Sequence, residues 1–312
     1  MAASSDGTPG ARAGPICLGI APIGWSNDDL PELGGNITLE QCLREAREAG
    51  YSGVEKGGKF PMDAKVLGPI LEGHDLKLVN GWFSGELRHG SVEREKRRIA
   101  QQLALYQALD VSVMVYAETT GTVQNKLDTP VADRPRMPEE EFKSYGDRLT
   151  ELAEWLRSEG CPMTFHHHMG TVVETEHEVD LLLSRTGDAV GLLFDTGHLY
   201  FAGGDVLATV KRHGKRINHV HGKDIRASVL ARLKAGNWSF LKGVVEGVFT
   251  VPGDGVIDYG PFAALLAEIG YRGWVVVEAE QDPLKANPLE MARIGHAALT
   301  KAFSDAGFAI VG

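Results

Sequence analysis

The chain has 312 residues, of which 43% are hydrophobic and 24% are charged, so it can bury a large core. Its formal net charge of −10 argues against a protein that binds the phosphate backbone of nucleic acids. No apolar run approaches the ~20 residues that span a bilayer, so we expect no membrane insertion. The three cysteines, Cys17, Cys42 and Cys161, are odd in number and have no CxxC spacing. We therefore expect no disulfide framework and a location in the reducing cytoplasm.

Residues 1–14 are small and polar and lack the apolar stretch of a signal peptide, so we predict a disordered leader there. Eight apolar runs of strand length follow along the rest of the chain. They are PICLGIAP (15–22), a short run ending in GVE (53–55), LKLVNGWF (76–83), VSVMVYAE (111–118), MTFHHHM (163–169), VGLLFDTGH (190–198), INHVHGKD (217–224) and GWVVVEAEQD (273–282). Continuous apolar character of this kind is typical of strands that are buried on both faces.

Amphipathic segments with helix caps lie between these runs, at 38–51, 138–160 and 258–273. Strand–helix alternation repeated about eight times predicts an α/β fold, a (β/α)8 TIM barrel, as a single domain over residues 15–312. A doubly wound open sheet is the alternative, but no G-x-G-x-x-G follows the first strand. The connections 119–137 and 225–257 are longer than a barrel needs, so we expect them to form pocket walls or lids.

Polar residues gather where the predicted strands end, and in a barrel these ends form the face that carries the chemistry. The residues are Glu55, Glu118, His166–His168, Asp195, His198, His219, His221, Glu278 and Glu280. Strand alternation puts His166 and His168 on one face and His167 on the other. Histidines and carboxylates converging from different strands suit a divalent metal such as Mn, Co, Fe or Zn.

Several of these residues also have a plainer interpretation. Asp195 stands before Thr-Gly and could merely cap the next helix. His219 and His221 share one strand face, so either both enter the barrel or both face a helix, and the inward orientation is favoured. Lys56 and Lys59 are either substrate ligands or solvated loop lysines.

Several strings resemble the xylose isomerase-like TIM-barrel superfamily and, within it, the inosose dehydratase family. They are GIAPIGWSNDDLPELGG (19–35), AREAGYSGVE (46–55), HHHMGTVVET (166–175), LLFDTGH (192–198), HVHGKD (219–224), FTVPGDG (249–255) and VVVEAEQDPLKANPLEMA (275–292). The resemblance runs in order from about residue 16 to 305. It implies metal-dependent dehydration of scyllo-inosose, a keto-inositol, to a trihydroxycyclohexane-dione, with Mn or Co as the cofactor.

The resemblance also implies a set of metal ligands. Asp195, His221 and Glu278 match the ligand positions of the superfamily by motif. The relatives carry Glu in an E-x-H string on the fifth strand, where this chain has His166, so His166 is the expected fourth ligand and His168 its competitor. The histidine that corresponds to His198 is a metal ligand in the endonucleases of the superfamily and contacts the substrate in the epimerases. In this chain we expect His198 to contact the substrate.

Dehydration of a β-hydroxy ketone needs one group to remove a proton and another to protonate the departing hydroxide. The candidate bases are Glu118, Glu278 and Glu280, and the candidate acids are His168, His198 and Lys223. We expect Trp25, Asn27 and Asp28 to wall the substrate pocket and Glu55, His168 and His219 to contact the substrate. The predicted partner is therefore a small molecule rather than a nucleic acid or a membrane, with a homo-oligomer left open.

Three other classes compete with this prediction. A ketose isomerase or epimerase would use the same metal, but His166 replaces one of the two glutamates that it would need. A DNA-repair endonuclease requires several metals and a basic groove, which the net charge disfavours. A sugar-binding barrel without activity would bind its ligand equally well after the metal is removed.

Overall fold

A computed structural model describes residues 13–312 of the protein. The predicted leader, residues 1–14, therefore lies outside the described residues as far as position 12. Ala13 already packs against the core, and the first strand begins at Pro15.

Eight parallel strands form a closed barrel in the described part of the chain, which confirms the predicted fold class. They are β1 (Pro15–Ile20), β2 (Gly53–Lys56), β3 (Lys77–Gly81), β4 (Met114–Glu118), β5 (Met163–His166), β6 (Gly191–Asp195), β7 (Ile217–Gly222) and β8 (Gly273–Val277). The strands follow one another around the barrel in chain order, and β8 pairs with β1.

The seam of the barrel lies between β3 and β4. The chain leaves β3 at Gly81 and forms the short strand Ser84–Gly85, which pairs with Ala117 and Glu118 of β4. Gly85 has no room for a side chain, because an added Cβ would lie 2.1 Å from Cζ of Tyr116. The barrel therefore closes through this short extension of β3.

Helices surround the barrel and begin with side-chain caps at several positions, including the predicted cap Thr38. They are α1 (Leu39–Glu48), α2 (Ala64–Gly73), α3 (Val92–Ala108), α4 (Glu139–Ser158), α5 (Glu176–Ser184), α6 (Thr196–Phe201), α7 (Val206–His213), α8 (Ala227–Gly236), α9 (Phe240–Val245), α10 (Tyr259–Glu268) and α11 (Pro288–Asp305). Short 3-10 turns lie at Pro22–Gly24, Val131–Asp133 and Gly214–Arg216. Among the described residues, none of the helices has the length and apolar character needed to cross a membrane.

Most strands end earlier than the apolar runs predict. The fifth ends at His166, the sixth at Asp195 and the eighth at Val277. At the sixth strand the reason is visible, because Oδ1 of Asp195 accepts a hydrogen bond from the backbone N of His198 and begins α6. The polar residues beyond these positions therefore stand on loops or on α6, where they are not held to strand alternation.

The connection 225–257 is a folded unit at the carboxyl face of the barrel. It contains α8 and α9, and its strand Phe249–Thr250 pairs antiparallel with Asp224–Ile225. A second apolar cluster holds it together and joins it to Leu30, Met169 and Phe201 from other parts of the chain. The residues that the connection itself contributes include Leu230, Leu233, Phe240, Leu241, Val244 and Phe249. At the opposite face, the short strand Ala309–Ile310 pairs with the start of β1.

Candidate active site

A cavity of about 420 Å³ opens at the carboxyl ends of the strands, where the sequence places the chemistry. Its size and its mixture of apolar and polar side chains suit a small molecule. The 119–137 connection contributes to the wall from Thr119 to Asn125, and the 225–257 connection contributes Phe240, as predicted for these long loops. Eight predicted site residues line the cavity: Asn27, Asp28, Glu55, His166, His168, His221, Glu278 and Glu280.

Four buried side chains bring ligand atoms together beside this cavity. They are His166, Asp195, His221 and Glu278, and one atom from each lies within 4.8 Å of the others. Nε2 of His166 lies 3.8 Å from Oδ2 of Asp195, and Nδ1 of His221 lies 3.6 Å from the same oxygen. Nδ1 of His221 also forms a hydrogen bond with Oε2 of Glu278. The ends of four successive strands thus supply one group each.

The donor set fits a divalent metal. Nε2 of His166 and Oδ2 of Asp195 are buried and have no hydrogen-bond partner among the described residues. Nδ1 of His166 lies 2.6 Å from the carbonyl oxygen of His167, which places its proton there and leaves the lone pair of Nε2 free. Buried polar atoms without partners are costly, whereas two imidazoles and two carboxylates that converge are ligands for metals of the Mn, Co and Zn group.

Asp195 combines the two interpretations that the sequence leaves open. Its Oδ1 accepts a hydrogen bond of 2.8 Å from the backbone N of His198 and caps α6. Its Oδ2 points instead toward His166 and His221. A helix cap and a ligand position therefore occupy the two oxygens of one carboxylate.

The charged groups of this cluster shift the pKa values of one another. Burial raises the pKa of Asp195 and of Glu278, but Lys223 and His221 outweigh it and hold the pKa of both carboxyls below their ordinary values. Burial lowers the pKa of His221, but Glu278 and Glu55 outweigh it and raise that pKa to about 10. Both carboxylates therefore stay ionised and can bind a cation.

Glu55 and Glu280 are further carboxyl groups in the cavity wall. Burial raises the pKa of each to about 7. Oε2 of Glu280 accepts a hydrogen bond of 2.6 Å from Nζ of Lys223, and Oε2 of Glu55 lies 3.8 Å from Nε2 of His221. A carboxyl group with a pKa near neutrality can act as a proton donor or as a proton acceptor.

His168 and His198 lie beside the cluster of His166, Asp195, His221 and Glu278, with their ring centroids 4.0 Å apart and their planes tilted by 48°. Burial lowers the pKa of both imidazoles, so they are neutral at pH 7. Nζ of Lys223 lies 2.8 Å from Nε2 of His198. Only His168 of these three reaches the cavity, while His198 and Lys223 are fully buried behind it.

The histidines at and after the end of the fifth strand and those of the seventh strand have the predicted orientations, although His167 and His168 lie beyond the fifth strand. The ring of His167 packs against Phe194, away from the cavity, with centroids 6.3 Å apart. His219 and His221 both lie inside the barrel, where Nε2 of His219 is 3.0 Å from Nδ2 of Asn80 on the third strand. His219 lies outside the lining of the cavity, so no substrate contact follows from its position.

The positions of Glu118 and Trp25 correct two predictions. The carboxylate of Glu118 accepts hydrogen bonds from the backbone N of Arg88 at 2.9 Å and of Thr120 at 3.0 Å, so it fastens two loops and does not line the cavity. Trp25 is buried in the core, and its indole donates to Oε2 of Glu45 at 2.6 Å. In both cases a hydrogen bond to a neighbouring element turns the side chain away from the cavity.

Two of the polar residues that follow β1 also accept hydrogen bonds from backbone N–H groups of loops. Oδ1 of Asn27 accepts hydrogen bonds from the backbone N of Asp29 at 2.9 Å and of Leu30 at 3.0 Å, so this residue shapes its own loop while lining the cavity. Asp28 lines the cavity and accepts a hydrogen bond of 2.8 Å from the backbone N of Gly58.

Sequence reasoning misses three residues around the imidazoles. Trp82 stands edge-on to His166 and His168 with centroids at 5.5 and 5.0 Å, and Phe240 lies 5.3 Å from His168. Asn80 contacts His219 and His221. A polar residue within the apolar run LKLVNGWF was a signal for Asn80, whereas nothing in the sequence separates Phe240 from other core residues.

Comparison with known proteins identifies the class of this barrel. A family model described as xylose isomerase-like TIM barrel matches residues 43–302. The chain therefore belongs to the xylose isomerase-like TIM-barrel family. A solved structure of the IolI protein with a bound zinc atom has the same fold, with a TM-score of 0.61 and 20% identity over 93% of this chain and 97% of that one.

Curated relatives identify the reaction class of the protein within this family. The rhizopine catabolism protein MocC of Rhizobium meliloti is 49% identical over 293 residues, which cover 94% of this chain and 90% of the relative. The inosose dehydratase of Clostridium beijerinckii is 45% identical over 280 residues, which cover 89% of this chain and 94% of the relative. Within its family the protein is a dehydratase, an enzyme of the hydro-lyase class.

Proposed function

We propose that the enzyme removes water from scyllo-inosose with the help of one divalent metal ion and yields a trihydroxycyclohexane-dione. The observation that carries the proposal is the group of four buried ligand atoms from the ends of four neighbouring strands. Two of these atoms have no hydrogen-bond partner among the described residues. Similarity to inosose dehydratases at 42–45% identity supports the substrate. The three free cysteines agree with the cytoplasm as the proposed location.

His166, Asp195, His221 and Glu278 would hold the metal, for which we propose Mn or Co. A bound metal would supply Lewis-acid chemistry, because it stabilises the negative charge that develops on the ketone oxygen as the neighbouring carbon loses its proton. The cavity beside these four residues is lined by hydrogen-bonding groups that match a polyhydroxylated ring, among them Asp28, Gln124 and Asn125.

We assign the removal of the proton to Glu280. Its carboxyl group lines the cavity, and its pKa of about 7 leaves a large fraction ionised at neutral pH. The 2.6 Å hydrogen bond from Lys223 fixes this carboxylate and favours the ionised form. Glu118, the other carboxylate predicted for this task, is engaged by backbone N–H groups outside the cavity.

We assign protonation of the departing hydroxide to Glu55. Its carboxyl group lines the cavity, accepts no hydrogen bond from the described residues and has a pKa of about 7, so a large fraction carries a proton at neutral pH. The predicted acids are less suited to the task. Nδ1 of His168 donates to the carbonyl oxygen of Met169, which leaves Nε2 without a proton to give, and Lys223 does not reach the cavity.

The test is an assay with scyllo-inosose after treatment with a chelator, in which the ultraviolet absorbance of the dione reports the product. We expect activity to require added Mn or Co, and His166→Ala and Glu278→Ala to lose the metal and about 100-fold or more of the activity. His177→Ala, which removes an exposed imidazole, is the matched control and should behave as wild type. Full activity of the stripped enzyme, or variants that keep their metal, would contradict the proposal.

The same assay separates the alternatives. An isomerase or epimerase returns a product of unchanged mass, whereas a dehydratase returns one that has lost a water molecule. Several keto-inositol stereoisomers should be compared as substrates, and we expect scyllo-inosose to react fastest. A sugar-binding barrel would hold scyllo-inosose equally well with and without metal and would form no product.

A further inference from the structure

A second group of potential metal ligands lies directly beside the first. His168, His198 and Glu280 offer one ligand atom each, all within 4.8 Å of one another and all buried. Each follows a residue of the first cluster by two or three positions, after the fifth, sixth and eighth strands. In the types of its side chains, this second cluster matches the ligands of divalent metals, as the first cluster does.

A lysine ammonium group already occupies this second cluster. Nζ of Lys223 lies 2.6 Å from Oε2 of Glu280 and 2.8 Å from Nε2 of His198. It also lies 3.3 Å from Oε1 of Glu278 and 4.8 Å from the centroid of the Phe249 ring. The side chain is fully buried, so its charge must be compensated by these neighbours.

The fold reserves space for this lysine. A Cβ added at Gly197 would lie 2.5 Å from Cγ and 2.8 Å from Cβ of Lys223. Tyr259 donates a hydrogen bond of 2.9 Å to the carbonyl oxygen of Lys223, and Thr196 donates one of 2.7 Å to the same oxygen. The glycine of the DTGH string and these two hydroxyls therefore hold the stem of Lys223 where its ammonium group meets Glu280.

We propose that the ammonium group of Lys223 takes the place of a second metal ion and limits the enzyme to a single metal. The inference rests on the proposed metal-dependent function. Charge balance supports it, because one divalent ion neutralises Asp195 and Glu278 while Lys223 neutralises Glu280. A divalent ion at His168, His198 and Glu280 would meet the ammonium group within the same few ångströms and be repelled. Lys223 is thus a positioning residue that holds Glu280 toward the cavity.

The experiment measures bound metal per chain after equilibration with MnCl2 or CoCl2 and gel filtration. We expect one ion in wild type and two in Lys223→Met, which keeps an unbranched side chain one atom shorter and removes its charge. Excess metal should then raise the melting temperature of Lys223→Met more than that of wild type, since the second ion replaces the lost positive charge. Lys234→Met, on the exposed face of α8, is the matched control and should bind one ion.

A double variant and a milder variant complete the test. Lys223→Met combined with His198→Ala should return to one ion, because the second cluster loses a ligand. If Lys223→Met does not fold, Lys223→Gln provides the same comparison. One ion in wild type and one in the folded Lys223 variant would overturn this inference alone. No bound ion in wild type or in either variant would contradict the metal site itself.

Discussion

The two ring nitrogens of His221 meet different neighbours. Nδ1 faces Asp195 and Glu278, and Nε2 lies 3.4 Å from Nδ2 of Asn80. A histidine that binds a metal through one nitrogen usually donates the proton of the other nitrogen to an acceptor. Oδ1 of Asn80 is buried and has no partner among the described residues. Rotation of this amide would give the Nε2–H of His221 its acceptor and leave Nδ1 free for the metal.

Asn80→Leu should therefore weaken the binding of Mn or Co by about 10- to 100-fold, because His221 loses the acceptor that fixes its tautomer. Competition with a coloured chelator measures the affinity without any need for catalysis. Asn80→Asp keeps an acceptor oxygen at the same place and should retain more of the affinity than Asn80→Leu. An affinity of Asn80→Leu equal to that of wild type would show that Asn80 does not position the ligand.

At the scale of elements, the strand pairing of the barrel is short at the seam between β3 and β4. Two residues, Ser84 and Gly85, provide the pairing with β4. Tyr116 of β4 packs directly against this extension and donates a hydrogen bond of 3.0 Å to Oε1 of Glu95 on α3. Closure of the barrel therefore depends on a glycine that lets a tyrosine ring approach the backbone.

Gly85→Ala should lower the free energy of unfolding by about 1–3 kcal/mol or more, because the new methyl group would overlap the buried Tyr116 ring. Urea denaturation followed by circular dichroism measures the change. Gly73→Ala is the control, because nothing lies within 4 Å of a Cβ added there. This helix position should be neutral or slightly stabilising. Equal effects of the two substitutions would rule out the steric explanation.

At the scale of the whole molecule, one buried guanidinium ties the long connection after β4 to the chain that follows β5. Nε of Arg134 lies 3.1 Å from Oε2 of Glu174, and Nη2 of Arg134 lies 2.8 Å from Oε1 of Glu178. Nη2 of Arg134 donates hydrogen bonds to both carboxylate oxygens of Glu178, whose pKa falls below its ordinary value despite burial. Glu174 receives less compensation, and burial raises its pKa to about 7.

This arrangement predicts a pH dependence of global stability. The folded protein keeps the proton of Glu174 up to a pH of about 7, whereas the unfolded chain loses it near pH 4.3. The unfolding free energy contributed by Glu174 therefore falls as the pH rises from about 4.3 to about 7 and is constant above that range.

Glu174→Gln removes this titration. Its unfolding free energy relative to wild type should increase by about 1–3 kcal/mol between pH 5 and pH 8. Urea denaturation at several pH values measures the difference. Glu139→Gln, at an exposed carboxylate on α4, is the control and should show no such trend. A relative stability of Glu174→Gln that does not change with pH would contradict the raised pKa.

Much of the fold and part of the candidate site could be predicted from the sequence. The strand order and the face that carries the chemistry follow from eight apolar runs, because parallel strands in a barrel place all their carboxyl ends on one side. His166, Asp195, His221 and Glu278 stand at or next to such ends, so their convergence follows from their positions in the chain. Asn80 carried a weaker signal, as a polar residue in an otherwise buried strand.

The sequence by itself determined the barrel, the side on which the site lies and the residue types available there. Only the tertiary structure decided which polar side chains enter the cavity. Glu118 and Glu280 both follow apolar strands, yet one is turned away by backbone N–H groups of Arg88 and Thr120, and the other is held at the cavity by Lys223. The physical reason is that hydrogen bonds and ion pairs form over about 3 Å between segments far apart in the chain, and their partners exist only after the barrel closes.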